Sequence, residues 1–552
     1  MKELIQRLFR RPVLAAEIFI ATFFITLLTL AMPLYAIQVF NRYIAYGFHG
    51  TLITLTTGML MAVFLQLGFR ILRTKMAGAV NQAPNDCLSL EVLAVISQAK
   101  AEPLNQFSRQ RLQDALNSVQ TIQNGYDEQT LTTMMDAPFS LLLIAVIYLL
   151  SPFLAGIAAT GIMIGLLTGW MGIKKSQQGL ERLLGETSKH RALNYSAVNA
   201  LDTVRAFSAA GFLQSLWQEQ LVKISELKKK MTDTKGLSQA LTLSGSSLTS
   251  VFLYAIGATL VVQGDLTVGA LIGVNILAGR AYQNITRLVP AYHMLNKAGE
   301  AFKEIALLKR LPLEPISGAA LRVYQGRIEF QDVGFAYPNT THPVFESLSL
   351  TIEPGTALAV VGQNGSGKTT LAKLLMGLLE PRRGSILADN VNLQQLAWPW
   401  WRRQIIYMPQ EPGFINGTIR ENILFSTPDL DEASLNHILR ASDLKSFLDQ
   451  TPNGLDTMLT DNGKHLPLGI RRRLSLARGL ATNGRLVVLD EPTDALDETG
   501  VKAVYQIMND LMKAGKTIIV FSNDPKILKG ASSILNLNIK PTPMLSHQTL
   551  AG

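Results

Sequence analysis

The sequence predicts a chain in two parts, an all-α membrane half followed by a soluble α/β half. Of its 552 residues, 48% are hydrophobic and only 17% are charged, whereas soluble chains usually carry about 25% charge. The deficit is uneven, because nearly all of the long apolar runs fall before residue 295. From Arg327 onward, "RIEFQDVGFAY" alternates like a strand, and "ALAVVG" is typical of a buried strand.

Five apolar stretches in the first half predict six membrane helices, since each span needs about 20 mostly apolar residues. The stretches are residues 13–40, 51–69, 137–173, 236–264 and 266–291. The third is long enough for two spans, and Ser151-Pro152 supplies a turn between them. The two inner connections, about 70–135 and 174–235, are long, polar and without Gly/Pro clusters, so we expect helices that extend well beyond the bilayer.

The charge balance and the N-terminal sequence fit a membrane protein. The net charge is +10, and we attribute it to Lys and Arg on the cytoplasmic side of the spans rather than to nucleic-acid binding. The basic start "MKELIQRLFRRP" runs into an apolar stretch that is too long for the core of a cleaved signal peptide. The single cysteine, Cys87, excludes an intrachain disulfide and is interpreted as a packing residue.

The segment "GQNGSGKTT", residues 362–370, predicts a nucleotide phosphate site. It fits the pattern G-x-x-x-x-G-K-[ST] between a predicted strand and a predicted helix, so its backbone N–H groups can turn inward around phosphate oxygens. Lys368 would place a positive charge on the β- and γ-phosphates, and Thr369 would offer its hydroxyl to Mg²⁺. The residues expected to bind ATP here are Gly362, Asn364, Gly365, Ser366, Gly367, Lys368, Thr369 and Thr370.

A second motif, "RLVVLDE", predicts a buried strand that ends in two carboxylates. We expect Asp490 to hold Mg²⁺, partly through water, and Glu491 to act as the general base towards the attacking water. Alone, the motif is a weak signal for a nucleotide site, and its distance after the phosphate loop makes the signal specific.

Together these motifs resemble the nucleotide-binding domain of ABC transporters, and the resemblance implies roles for further residues. Tyr337, in "FAYP", matches an aromatic residue that stacks on adenine. Gln410, in "YMPQEPG", matches the glutamine that senses the γ-phosphate and magnesium and faces the membrane domain, so it joins Thr369 and Asp490 as an expected metal ligand. Asp497, in "DALD", matches the loop that crosses the dimer interface.

The membrane half is similar to type I secretion exporters, the ABC exporters that move unfolded proteins such as proteases, lipases and RTX proteins. The likeness rests on "PLYAIQVFNR", "DAPFSLLL", "SPFLAG" and "GALIGVNILAGRA". It implies a six-helix ABC exporter membrane domain fused to a soluble α/β P-loop ABC ATPase domain. The expected parts are a cytoplasmic N-terminus at 1–12, the membrane domain at 13–310, a linker at 311–326, the nucleotide-binding domain at 327–540 and a C-terminal tail at 541–552.

The resemblance also implies cofactors, partners and a location. ATP and Mg²⁺ would bind between two ABC subunits in a bacterial inner membrane, with lipid around the spans and the ATPase domain in the cytoplasm. A periplasmic adaptor (a membrane fusion protein), an outer-membrane channel and a secreted protein substrate would complete the system, and no nucleic acid is expected. Because only about a dozen residues precede the first span, we expect no peptidase domain of the kind that some relatives carry there.

Two departures from the ABC pattern predict that ATP binding persists while hydrolysis is weakened. The signature Leu-Ser-Gly-Gly-Gln reads "LPLGI" here: Pro467 has neither hydroxyl nor N–H, Leu468 adds bulk, and Gly469 is left to approach the ATP of the other subunit. After "KTIIVF", relatives carry a catalytic histidine, and the aligned residue is Asn523. Losing such a transition-state contact costs about 2.7–4 kcal/mol.

Several alternatives stay open at this point. The chain could be an exporter that hydrolyses ATP itself, or the ATP-binding half of a heterodimer whose partner does most of the turnover. Import or lipid flipping would use the same architecture. Residues 200–217 suit a helix that touches a partner domain or an ordinary amphipathic helix. The polar residues of the last span could face a translocation path or cap helix contacts; they are Asn275, Arg280, Gln283 and Asn284.

The predicted topology can be tested with short epitope tags in intact cells and in inverted membranes. Tags at residues 46 and 265 should be reached from outside, because these positions follow an odd number of spans. Tags near residues 120, 215 and 552 should be reached only from inside. Any tag on the opposite face would contradict the six-span topology.

Overall fold

The computed structural model describes residues 2–47, 49–338, 340, 342–540 and 542–547. The chain divides into two compact units, Met1–Ser97 with Phe107–Leu311, and Gln98–Gln106 with Pro312–Gly552. The division at Leu311 lies at the start of the expected linker. The short segment Gln98–Gln106, however, separates from the membrane half in which the sequence placed it.

Before the linker the described residues form α-helices, with a π-helical segment, Val39–Ile44, after the third. The helices are α1 (Lys2–Arg10), α2 (Pro12–Thr29), α3 (Ala31–Gln38), α4 (His49–Gln98), α5 (Ala101–Asn105), α6 (Arg109–Gly125), α7 (Glu128–Leu150), α8 (Pro152–Asn199), α9 (Leu201–Ala206), α10 (Ala210–Val262), α11 (Val268–Thr286) and α12 (Leu288–Leu308). The long helices α4, α8 and α10 have 50, 48 and 53 residues. At 1.5 Å per residue each is about 70–80 Å long, more than twice the hydrocarbon thickness of a bilayer.

Polar side chains cap the helices that follow the short turns. Ser151 ends α7 and its hydroxyl accepts a hydrogen bond from Leu154 N–H in the first turn of α8. Thr267 does the same for α11, where Ala270 N–H donates to its hydroxyl at 3.2 Å. The turn predicted at Ser151-Pro152 is therefore present, since the capping hydroxyl and the proline after it both favour a helix start.

Within the described residues, five helical stretches are long and apolar enough to cross a membrane. They are Pro12–Ile44, His49–Gln98, Gln110–Leu150, Pro152–Ser176 and Ala210–Val262. The sixth predicted span, 266–291, falls on α11, which polar residues interrupt and which ends at Thr286. Val274, Leu277 and Ala281 of α11 are buried against neighbouring helices. Protein packing thus covers much of α11, and its crossing of the membrane stays a prediction.

The N-terminal segment expected as a simple cytoplasmic end contains the packed helix α1. Arg7 is only 2% exposed, donates to Asn85 Oδ1 at 2.9 Å, pairs with Glu3 at 3.2 Å and lies over the ring of Tyr126 at 4.5 Å. Burial of Arg7 therefore ties α1 to α4 and α6.

Cys87 is exposed on α4, so its interpretation as a packing residue was wrong.

The second unit contains the strands and the remaining helices. The strands are β1 (Ile328–Phe335), β2 (Phe345–Ile352), β3 (Ala357–Val361), β4 (Arg383–Ala388), β5 (Val391–Asn392), β6 (Ile405–Met408), β7 (Gly417–Thr418), β8 (Met458–Leu459), β9 (Leu486–Asp490), β10 (Thr517–Phe521), β11 (Ser533–Asn536) and β12 (Met544–His547). The helices are α13 (Lys368–Leu375), α14 (Trp398–Arg403), α15 (Ile419–Leu424), α16 (Glu432–Ala441), α17 (Lys445–Gln450), α18 (Leu468–Ala481), α19 (Glu498–Lys513) and α20 (Pro525–Gly530).

Two larger sheets organise this unit. One is antiparallel, in the order β2-β1-β4-β5, and the other has six strands in the order β12-β11-β3-β10-β9-β6. In the second sheet only the pair β11–β12 is antiparallel. β9 and β10 are fully buried, as continuous apolar runs in a covered parallel sheet should be. Ligands bind such sheets beyond the carboxyl ends of the strands.

The C-terminal boundary differs from the expected one. β12 lies within the predicted tail, 541–552, yet it pairs with β11 from Ser533↔His547 to Asn536↔Met544. The nucleotide-binding domain therefore extends at least to His547. Position 541 and positions 548–552 lie outside the described residues, as does the proposed tag site at 552.

Candidate nucleotide site

The phosphate loop connects the end of β3 to the start of α13. Gly365 and Gly367 have φ of +82° and +111°, a region that a residue with a Cβ rarely adopts. A Cβ on Gly367 would also lie 2.6 Å from Val344 Cγ1, and one on Gly362 would collide with Ser366 Oγ. Asn364 and Gly365 are exposed at the outer side of the loop. The glycines thus allow a tight turn whose outer side is exposed to solvent.

Lys368 points back into this turn. Its side chain is 8% exposed, its Nζ donates to Gly362 O at 2.7 Å, and it forms an ion pair with Glu491 Oε1 at 2.9 Å. A buried ammonium needs such partners. Two of the residues predicted from separate motifs, Lys368 and Glu491, are therefore in direct contact.

Asp490 is the most unusual group of the site. It is 1% exposed, and within the described residues neither of its carboxylate oxygens has a hydrogen-bond partner. Burial raises the pKa of Asp490, with a further contribution from the charge of Glu491, while Thr369 and Lys368 oppose the shift. A buried carboxylate without partners costs free energy unless a cation or proton compensates it.

The oxygen donors around Asp490 fit Mg²⁺. Thr369 Oγ1 donates to Gln410 Oε1 at 3.5 Å, so the other two expected ligands also lie together. Among the described residues no group of three His, Cys, Asp or Glu could hold a metal. Mg²⁺ is usually bound by one or two carboxylates together with substrate phosphates and water, and Asp490 with Thr369 and Gln410 offers one carboxylate and two further oxygen donors.

Glu491 adopts a strained backbone conformation. Its φ is +50°, a left-handed conformation that costs a residue with a Cβ about 1–3 kcal/mol and is common at functional sites. Two hydrogen bonds hold it there: its N–H donates to Phe521 O at 2.9 Å, and Arg472 Nη1 donates to its carbonyl oxygen at 2.8 Å. The carboxylate is thereby turned towards Lys368 and the phosphate loop.

Asn523 and Tyr337 also lie beside the loop. Asn523 Oδ1 accepts from Gly362 N–H at 3.3 Å, and its Nδ2 donates to Gly362 O at 3.2 Å. The amide therefore binds both the backbone N–H and the backbone carbonyl of Gly362, the first residue of the loop. The hydroxyl of Tyr337 lies 3.0 Å from Thr370 Oγ1, and its ring packs edge-on against Phe335, which places an aromatic group next to α13.

Gly469 and Asp497 are not brought to the loop of their own chain. Gly469 lies in the first turn of α18, next to the backbone of Ala495. Asp497 caps α19, where Gly500 N–H donates to its Oδ1 at 2.9 Å and lowers the pKa of Asp497. Within the part of the chain that the structure describes, no hydrogen bond or ion pair joins either residue to positions 362–370.

Two residues missed by the sequence analysis support the loop. Gln363 N–H donates to Asn538 Oδ1 at 2.8 Å. Lys540 Nζ donates to Ser366 O at 3.1 Å and to Val344 O, and it lies over the ring of Phe345. Asn538 and Lys540 follow β11, and no local motif marks them.

Two family profiles match the chain. The profile described as the ABC transporter transmembrane region matches residues 15–284, and the profile described as ABC transporter matches residues 345–494. Together they cover most of the sequence and agree with the membrane helices and the phosphate-loop sheet. The chain belongs to the ABC transporter family, and the predicted fold class is confirmed.

The chain is also similar to individual proteins of this family and to a solved structure. The chain is 26% identical to the toxin RTX-I translocation ATP-binding protein of Actinobacillus pleuropneumoniae, over 94% of this chain and 73% of that protein. It is 25% identical to the leukotoxin translocation ATP-binding protein of Mannheimia glucosida, with the same coverage. Its fold matches the structure of a bacterial Atm1-family ABC exporter with ATP bound, with a TM-score of 0.81, 20% identity, and coverage of 96% of this chain and 95% of that chain.

The role of Lys368 can be tested by ATP binding. Lys368→Ala removes the ammonium next to the phosphates, and the loss of charge-assisted hydrogen bonds worth about 1.5–3 kcal/mol should weaken ATP·Mg binding roughly 10–150-fold. Titration calorimetry on the full chain would measure this. Lys373→Ala, on the same helix, is the matched control and should leave the affinity unchanged. Equal affinities for both variants would rule out this site.

Proposed function

We propose that this chain is an ATP-driven exporter subunit of a bacterial inner membrane, moving an unfolded protein in a type I secretion system. The observation that carries this is the buried, unpartnered carboxylate of Asp490 beside Lys368 and Glu491, at the edge of a parallel sheet. Such a site binds and activates a nucleoside triphosphate. The free energy of ATP hydrolysis would then be used to move the membrane helices of the same chain.

The groups of the site have distinct roles in this proposal. The phosphates of ATP attract Lys368 Nζ away from Gly362 O and Glu491, which frees the Glu491 carboxylate. Glu491 then accepts a proton from the attacking water. Thr369, Gln410 and Asp490 supply oxygen ligands for Mg²⁺, which neutralises charge on the phosphates when bound. Tyr337 stacks on the adenine.

A second subunit completes the site. Gly469 and Asp497 would act on the ATP held by the partner, since neither bonds to the loop of its own chain. The bend between α8 and α10 supports an assembly, because it exposes large apolar side chains, with Phe207 79% exposed. Exposed apolar clusters mark interaction sites.

The signature position favours slow hydrolysis. Pro467 and Leu468 occupy the positions of the signature serine and the first signature glycine, which would face ATP. Pro467 precedes α18 and provides no side-chain cap, and Leu468 is 37% exposed. The helix N-terminus keeps its dipole. The N-terminus of α18 lacks the hydroxyl that would donate to the γ-phosphate, so ATP binding is less affected than ATP hydrolysis.

The same observation favours a second candidate. The chain would be the ATP-binding, weakly hydrolysing half of a heterodimer, in which Leu468 faces the phosphate loop of a partner. That partner would carry an intact signature that faces Lys368 of this chain. In this arrangement the partner does most of the turnover.

The expected cargo and partners come from the relatives. Proteins named for toxin translocation are similar over 94% of this chain, which supports a protein substrate. A periplasmic adaptor and an outer-membrane channel would then continue the path out of the cell. Lipid would surround the exposed apolar faces of the helices.

Purification separates the two candidates. The full chain in nanodiscs should form a dimer by mass photometry and hydrolyse ATP if the first candidate is right. Hydrolysis that appears only after addition of a second, signature-intact chain would favour the heterodimer. A chain that binds no ATP·Mg would contradict both.

Restoring the signature should raise the rate of ATP hydrolysis. Pro467→Ser with Leu468→Gly returns a hydroxyl donor and a close backbone approach, and one such donor is worth about 10²–10³-fold in rate. Asn523→His should add to this gain, more than additively in a homodimer, because both groups then act on one transition state. In a heterodimer they act on different sites and should simply add.

Two measurements accompany this repair. Because Asn523 also binds Gly362, the affinity for ATP must be measured for every variant. Lys368→Ala in the repaired chain should abolish the gain. A rate unmoved by both repairs, with ATP binding intact, would show that another step limits turnover.

A further inference from the structure

The second unit contains a cleft between α16 and the end of α18 on one side and β6 and the end of α19 on the other. Its volume is about 530 Å³, which falls within the roughly 300–1,000 Å³ of small-molecule sites in proteins. Lys516, which directly precedes β10, also lines it. The cleft therefore lies at the amino ends of the parallel strands, whereas the phosphate loop follows a carboxyl end.

The deepest walls of the cleft are apolar. Ile406, Ile438 and Ile507 line it, and all three are buried. Ile406 and Ile507 belong to the apolar cluster around β9 and β10, whereas Ile438 belongs to a separate cluster of α16 and α18. The cleft is thus the space in which two apolar clusters do not meet, and an apolar ligand there would be favoured by about 25 cal/mol for each Å² of apolar surface removed from water.

Lys516 brings an uncompensated positive charge to this cleft. It is 8% exposed, as Lys368 is, and buried charges in proteins are normally paired. Among the residues that the structure describes, the other buried lysine and arginine side chains all form an ion pair with a carboxylate: Arg7 with Glu3, Arg73 with Asp136, Lys368 with Glu491 and Arg472 with Asp494. Within the same part of the chain, Lys516 forms none.

Neutral oxygen atoms hold the ammonium group of Lys516 in place. Its Nζ donates to Asn483 O at 3.1 Å, to Asn483 Oδ1 at 2.7 Å and to Gly484 O at 2.8 Å. Burial lowers the pKa of Lys516, and the charge of Arg485 lowers it further. Asp510 also lines the cleft but is exposed, so water weakens its attraction for the lysine. An anion inside the cleft would therefore meet a net positive charge.

We propose that this cleft is a second ligand site, which binds a small amphipathic anion with a carboxylate facing Lys516 and an alkyl chain between Ile406, Ile438 and Ile507. Small-molecule sites combine apolar walls with a few polar groups in this way. Ser434 and His437 of α16 line the same cleft and supply further hydrogen-bond donors. The site is separate from the nucleotide site, because the two share no residue.

The first test measures binding of octanoate to the full chain in nanodiscs by titration calorimetry, with empty nanodiscs as the blank. Octanoate should bind saturably. Lys516→Met should weaken this binding roughly 10–150-fold, through the loss of a charge-assisted hydrogen bond. Octanol, which has the same chain without the charge, should bind more weakly by a similar factor. Lys513→Met removes an exposed lysine at the end of α19, and this matched control should keep the affinity for octanoate.

A second variant blocks the cleft and leaves Lys516 with its hydrogen bonds. Ala433 is exposed where α16 lines the cleft, so Ala433→Phe should place a ring across the opening and weaken octanoate binding. Asn436→Phe adds the same ring at an exposed position of α16 that does not line the cleft, and it should leave the affinity unchanged. Thermal unfolding of each variant would show that the domain is still folded.

The outcomes separate this inference from the proposed function. Absence of saturable octanoate binding in the parent chain overturns the ligand site, as does an unchanged affinity in folded Lys516→Met or Ala433→Phe. Octanol that binds as tightly as octanoate would show a merely apolar cleft, and an equal loss in Lys513→Met would show a general effect of charge; either result also overturns it. Lys368→Ala should keep the affinity for octanoate, and a chain that binds octanoate but no ATP·Mg contradicts the proposed function alone.

Discussion

The register of β10 determines where the phosphate loop, Asp490, Glu491 and Asn523 lie. Phe521 pairs with Val360 of β3 on one side and with Asp490 of β9 on the other. The phosphate loop follows β3, the two carboxylates lie at the end of β9, and Asn523 follows β10. All of these groups therefore lie at the same edge of the sheet. A slip of one residue would turn Asp490 to the other face of the sheet. The continuous apolar runs of the three strands, buried on both faces, oppose such a slip.

The membrane unit depends on close helix approach and on one buried ion pair. Arg73 of α4 pairs with Asp136 of α7, and the Arg73 side chain is 10% exposed. Removing one partner of such a pair would leave a charge without compensation, at a cost of about 3–5 kcal/mol. At Gly273 a Cβ would lie 2.8 Å from Ile37 Cδ1, so α11 packs directly on α3. Small residues permit this approach, which drives helix association in membranes.

Much of this architecture was predictable because it is local in sequence. The apolar runs, the turn at Ser151-Pro152, and the two motifs at Lys368 and Asp490 each need only a short window of residues. The groups that sequence reasoning missed depend on distant pairs. Arg402 contacts Glu314, and Lys540 contacts Ser366 across 174 residues, which no window contains. The crossing of the membrane by α11 stays a prediction, since packing inside the unit makes a uniformly apolar surface unnecessary for this helix.

The support of the phosphate loop by Asn538 and Lys540 has a consequence for biosynthesis. β3 is flanked by β10 and β11, both made long after it, so the loop lacks these two strands and the support of Asn538 and Lys540 when it leaves the ribosome. At about 5–20 residues per second, the roughly 170 intervening residues take on the order of 10–30 s to synthesise. During that time the membrane helices are already available for insertion. The membrane helices are thus synthesised before the phosphate loop has its full set of supporting contacts.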